Sequence, residues 1–245
     1  MKRAFYFSVL WMFLLGSACQ SQQPPAQGNK PAANPKKKLL DSDLEGFDTS
    51  GDKSGNVKTT VGGTRGPEDP WATLLAPKSA KLYGPSALFQ WETKGHSEGS
   101  VILIVDEDET RIVKEQVKDP SYRLSAALSK FLPGQDYYWK IQVLPRTIPG
   151  EPSKFTMVSA EERKQIEKEL AAVHAGDPYD SGFARARVFV AHHLWFDAIG
   201  AYTDLIEKFP DRAQLYEDRG AIYSTMEVTR KLGEADKAKA ASLAH

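Results

Sequence analysis

The apolar pattern changes period near residue 159, and that change limits the fold more than any other feature of the chain. Between residues 137 and 144 it alternates, with Tyr137, Trp139, Ile141 and Val143 on one face and Tyr138, Lys140 and Gln142 on the other. A period of two belongs to a strand with one covered face. Further on, Ala198, Ile199, Tyr202, Leu205, Ile206 and Phe209 fall at i, i+1, i+4, i+7, i+8 and i+11, the stripe of an amphipathic helix. Strands followed by helices predict a multidomain β-plus-α chain in which an antiparallel β-sandwich precedes a helical array.

The strand region runs over residues 67–158. Residues 87–91 (Ala-Leu-Phe-Gln-Trp) make a short aromatic strand that Gly95 ends. Residues 101–105 form a continuous apolar run, read as a strand covered on both faces. The acidic residues 106–109 make the turn after it. A weaker strand follows at 111–117, and Phe155 and Met157 mark the last one.

The helical region runs over residues 159–245. Ser159 and Glu162 have the spacing of a capping box, so a helix should run to about residue 175 before Gly176 and the Asp177-Pro178 break. Residues 180–209 read as a helical hairpin. A third helix is expected over 213–232, and a short one over 234–243.

The chain starts Met1-Lys2-Arg3, continues with an apolar run over 4–15, and then reads Gly16-Ser17-Ala18-Cys19. A basic start, a short apolar core and small residues before a junction make an export signal over 1–18. The run would span roughly 18 Å as a helix, short of a bilayer core of about 30 Å. Residues 19–66 are rich in Gln, Pro, Asn, Lys, Gly and Ser, a composition that cannot offset its ordering entropy and suits a tether. The 32 basic and 32 acidic side chains leave no basic surplus for nucleic acid. Cys19 is the single cysteine, so no intramolecular disulfide is available.

Four resemblances sharpen this reading. Cys19 after Gly16-Ser17-Ala18 resembles the lipobox of bacterial lipoproteins, with Gly16 where that family usually has leucine. The resemblance implies acylation of Cys19, a membrane anchor through that lipid and, from Gln20, an outer-membrane lipoprotein facing the periplasm. Trp91 together with Leu132-Pro133-Gly134-Gln135-Asp136-Tyr137 resembles the fibronectin type III pattern Leu-x-Pro-Gly-x-x-Tyr. Here Leu132 adjoins Pro133, so the spacing is one residue short unless Phe131 takes leucine's place. Ala186 with Gly220 and Phe189 with Tyr223 stand 34 residues apart, and Trp195, Ala198, Tyr202 and Pro210 add to a resemblance to tetratricopeptide repeats, over about 180–245. The order of Gly62-Gly63-Thr64-Arg65-Gly66, Leu74-Leu75-Ala76-Pro77, Phe89-Gln90-Trp91, the stretch 132–139 and Leu194-Trp195-Phe196-Asp197-Ala198 also resembles an exported bacterial family of unknown function abundant in cyanobacteria, over Gly62 to Phe209.

The expected function is that of a lipid-anchored envelope scaffold that binds a protein partner, with no cofactor beyond the covalent lipid and no catalysis. No P-loop or His-Glu-x-x-His is present, and the adjacent His192 and His193 point about 100° apart on a helix. By resemblance to the repeat family, Phe183, Arg187, Val190, Glu217, Ala221 and Ser224 would line its groove. The alternative is a cell-wall or polysaccharide-binding module. For that role the sugar-stacking candidates are Trp71, Tyr83, Tyr122 and Tyr138.

Overall fold

Two sheets hold the β region together because aromatic side chains from each meet between them. In the computed structural model, residues 71–145, 150–173 and 176–244 are described, without the side chains of 125–127. The expected export signal, Cys19 and the expected tether lie outside the described residues. The strands are β1 (Trp71–Ala76), β2 (Ala80–Leu82), β3 (Leu88–Lys94), β4 (Ser100–Asp106), β5 (Arg111–Val117), β6 (Ser121–Arg123), β7 (Asp136–Val143) and β8 (Ser153–Met157). One sheet has the order β1-β3-β6 and the other β2-β8-β7-β4-β5. Pairings are antiparallel except that of β2 with β8.

Phe89 on β3 meets Trp139 on β7 at 5.1 Å and Phe155 on β8 at 5.4 Å between ring centroids, both edge-on. Each such side chain contributes roughly 1.5–3 kcal/mol on burial. The two buried indoles of the β region are satisfied: Trp139 Nε1 donates to the Pro77 carbonyl at 2.9 Å and Trp91 Nε1 to Ser100 Oγ at 3.3 Å. The missing spacer before Pro133 is resolved by Phe131. It is buried and sits edge-on to Tyr137 at 4.8 Å, whereas Leu132 is 57% exposed. The Leu132 N–H donates to Tyr137 Oη at 2.7 Å, which pins the approach to β7.

The helices are α1 (Ala160–Ala172), α2 (Pro178–Ala191), α3 (Trp195–Lys208), α4 (Ala213–Ser224) and α5 (Arg230–Leu243). Both bonds of the Ser159/Glu162 capping box are made. The expected third helix stops at Ser224, eight residues early. Thr229 Oγ1 bonds the Tyr223 carbonyl at 2.7 Å in a 3-10 turn over Glu227–Thr229, and α5 then starts at Arg230.

The sequence predicts separate β and helical domains; among the described residues, β and helical elements share a single core that runs from Ala76 to Met226. The seam is polar as well as apolar. Asp197, in the first turn of α3, is fully buried and accepts the N–H groups of Tyr83 and Gly84, each at 2.8 Å. Gly84 has φ 121, a conformation that turns its N–H toward that carboxylate at little cost only without a Cβ. One turn along α3, a Cβ on Gly200 would overlap the Ser86 carbonyl oxygen. From α1, Arg163 Nη2 donates to the Tyr83 carbonyl at 2.9 Å and its guanidinium lies over the Tyr83 ring at 4.8 Å. Arg123 of β6 reaches Asp204 of α3 at 2.8 Å, and Tyr223 Oη of α4 donates to Gln90 of β3 at 2.6 Å.

Candidate functional site

Most of the helix positions expected to line a groove are spent on the core. Phe183 is fully buried, stacked on Tyr179 at 5.9 Å and edge-on to Tyr202 at 5.9 Å. Val190 is buried too. Arg187 is buried against Asp218, 3.9 Å from its carboxylate, and bonds Tyr202. The same Asp218 accepts from Tyr202 Oη at 3.2 Å and Gln214 Nε2 at 2.7 Å. Desolvation, and then the neighbouring Asp218 charge, push the Tyr202 phenol well above its ordinary range. Ser224 bonds the Gly220 carbonyl at 2.7 Å and abuts Gly233 of α5. Glu217 and Ala221 are half-exposed. The groove therefore loses Phe183, Arg187, Val190 and Ser224, because two stacked hairpins need those side chains to fill their own interior.

The sugar-stacking candidates divide as well. Tyr83 and Tyr122 are buried. Burial, followed by the Glu115 carboxylate that accepts from its hydroxyl at 3.1 Å, pushes the Tyr122 phenol up to about 12. Trp71 is 39% exposed beneath the Lys94 ammonium, 5.0 Å from its ring, on the three-stranded sheet. Tyr138 is half-buried on the five-stranded sheet, so the two accessible aromatics belong to different sheets.

Tyr138 lines a depression of about 500 Å3 on the outward face of the five-stranded sheet. Its floor is Leu103 and Val105 of β4, its sides are Tyr138, Lys140 and Arg111, and Asp106, Glu107 and Glu109 stand at one end. Register builds this arrangement. Leu103 lies between Lys140 of β7 and Lys114 of β5, Val105 between Tyr138 and Arg111, and Val101 between Gln142 and Gln116. Leu103 and Val105 are half-buried, so β4 is not covered on both faces as its apolar run suggested. The signal was present in β7: its outward Tyr138, Lys140 and Gln142 mark an uncovered face, and β4 is its neighbour.

Charges around the depression are committed unevenly. Asp106 Oδ1 accepts from the backbone of Asp108 at 3.0 Å and Thr110 at 2.7 Å, closing its own turn. Lys154 pairs with Asp136, and its hydrogen bond holds the Asp136 carboxyl below its usual range. Among the described residues, Arg111, Lys114 and Lys140 have no ion-pair partner. No group of His, Cys, Asp and Glu side chains among those residues is arranged to hold a metal. His192 instead bonds Glu169 of α1 at 2.9 Å.

Comparison with known proteins adds no family. No family model matches the chain, and no curated protein matches it. Among solved structures, a CopC from Methylosinus trichosporium OB3b overlaps 36% of this chain and 95% of its own, at 20% identity and a TM-score of 0.27. Fibronectin(III)-like modules of Clostridium thermocellum CbhA overlap 36% and 94%, at 13% identity and a TM-score of 0.24. A multi-domain immunophilin from Arabidopsis thaliana overlaps 73% and 99%, at 6% identity and a TM-score of 0.24. Overlaps this loose carry no functional argument.

Proposed function

We propose that this chain is a lipid-anchored, non-catalytic adaptor of the cell envelope that binds a protein partner. In this reading acylated Cys19 holds it at the outer membrane on the periplasmic side, and residues 20–66 let the folded part stand away from the lipid. The recognition surface is the outward face of the five-stranded sheet. One observation carries that choice: a row of apolar side chains along β4, Val101, Leu103 and Val105, of which Leu103 and Val105 are only half-buried among the described residues. Uncovered apolar surface flanked by polar groups is the usual signature of an interaction site.

The fold reading is finer than β plus α. The β region is immunoglobulin- or fibronectin III-like, supported by the β1-β3-β6 and β2-β8-β7-β4-β5 orders and by Tyr137, which ties the strand to the preceding backbone. The helices are tetratricopeptide-like, supported by the burial of Ala186, Gly220, Phe189 and Tyr223 at equivalent repeat positions.

A photo-crosslinking residue at Lys114 or Gln116 of the full chain, expressed in an envelope-bearing bacterial host, tests the surface. Discrete protein adducts that disappear with Leu103→Glu are expected. Adducts from position 217 alone would return the site to the helices. Cys19→Ala should abolish palmitate labelling and release the chain from the membrane fraction; unchanged labelling would remove the anchor. A second reading rests on Tyr138, whose half-exposed ring beside Lys140 suits a sugar acid. It predicts that Tyr138→Ala abolishes sedimentation with cell-wall material.

A further inference from the structure

We infer that the segment received by the outward sheet face is an extended acidic polypeptide, its apolar side chains seated along β4 and its carboxylates over Lys140 and Lys114. This rests on the adaptor reading and gives the partner's chemistry. Strand register supplies the geometry. Side chains on one face of β4 recur every second residue, so Val101, Leu103 and Val105 form a straight apolar row with a spacing of about 7 Å. A second extended chain laid along that row presents side chains at the same interval. Lys140 and Lys114 stand on either side of Leu103, and Arg111 lies across β4 from Tyr138.

Charge complementarity selects the occupant. The nearby acids are already engaged or stand apart from the row. Asp106 closes its turn, Asp136 holds Lys154, and Glu107 lies past the end of β4. Glu109 sits beyond the end of β4 in the turn, at φ 61. The three cations flanking the row have no internal counter-ion among the described residues, so an incoming carboxylate breaks no existing pair. A basic segment would instead set like charges against Lys140 and Lys114, which disfavours it. An acidic polysaccharide would satisfy the cations and leave Leu103 and Val105 uncovered.

The test titrates the full lipidated chain in nanodiscs with three probes: a ten-residue alternating Glu-Leu peptide, a Lys-Leu peptide of the same length, and polygalacturonate. The Glu-Leu peptide should bind at least about tenfold more tightly than the Lys-Leu peptide and weaken as salt rises. Lys114→Glu with Lys140→Glu should remove that preference while the melting temperature holds. If that pair fails to fold, Lys114→Gln with Lys140→Gln reads the same loss. Equal affinity for both peptides, no binding of the acidic peptide, or binding of polygalacturonate alone overturns the inference. In any of those cases, surviving cross-links from Lys114 in cells keep the adaptor reading and discard only the acidic partner.

Discussion

Two surfaces of the same β region differ in how fully they are used. Where the sheets meet the helices, the Tyr83 carbonyl and N–H, the Gly84 N–H, Gln90 and Arg123 all have partners on α1, α3 or α4. On the outward face, three cations flank an apolar row and have no ion-pair partner among the described residues. A buried polar group without a partner costs about 1–3 kcal/mol, so the seam tolerates no vacancies. The outward face stays hydrated and tolerates them. Seam residues are thereby fixed by folding and outward residues by whatever binds, and the two should answer differently to substitution.

Gly200→Val is expected to do most damage. Its side chain would meet backbone of the 84–87 turn and not a movable side chain. A loss of about 3 kcal/mol or more, read from the denaturant midpoint, is expected. Gly176→Ala, which meets nothing within 4 Å, should stay within about 0.5 kcal/mol. Similar losses for both would erase the contrast between seam and open surface.

Asp197→Asn comes next, at about 2 kcal/mol near pH 7, because an amide can accept only one of the two N–H groups cleanly. It also carries a pH signature. Burial pushes the Asp197 carboxyl up to about 6, against the lowering effect of its two N–H donors. The folded chain then binds a proton more tightly than the unfolded chain. The penalty is fully present above pH 6 and is relieved as pH falls toward 4. The stability of the parent relative to Asp197→Asn should therefore rise on acidification, by up to about 3 kcal/mol. A flat difference between pH 7 and 4.5 would show a carboxylate that the site keeps charged.

Arg219→Lys tests the helix side alone. Arg219 grips Asp236 with two bonds of 2.8 Å and Thr203 with a third of 2.9 Å, tying α4 to α5 and α3. Lysine cannot reproduce the fork, and a loss of about 1–2 kcal/mol is expected in thermal unfolding. The smallest effect belongs to Lys140→Glu. Stability should change by less than about 0.5 kcal/mol while cross-linking from Lys114 falls. A large fall in its melting temperature would mean that the outward face is structural after all.

Legibility followed locality. The capping box of α1 needs only residues 159–162, and both of its bonds formed as read. The β7 alternation needs only its own residues, and the burial of Tyr137, Trp139, Ile141 and Val143 matches it. Strands β2 and β6 escaped notice because three residues carry no period, and β1 because its pattern is too weak to stand out. The run 101–105 misled because a continuous apolar stretch does not say which of its faces a neighbour will cover. Repeat spacing identified the interior of the helical pairs at Ala186 and Phe189. The same spacing put Arg187 and Val190 on a groove, since it cannot show how much of a short array is interior.

By itself, then, the sequence determined the order of strands before helices, the covered face of β7, the start of α1, and an N-terminal stretch with the composition of an export signal and tether. These are properties of short segments, set by local sterics, capping and periodicity. Only the tertiary structure decided that β and helical regions share one core, that Asp197 and Gly200 are its joint, that Phe131 occupies the place beside Tyr137, and that the uncovered apolar row lies on β4. Each depends on which distant backbone comes within hydrogen-bond or van der Waals reach, and that follows from packing of the whole chain.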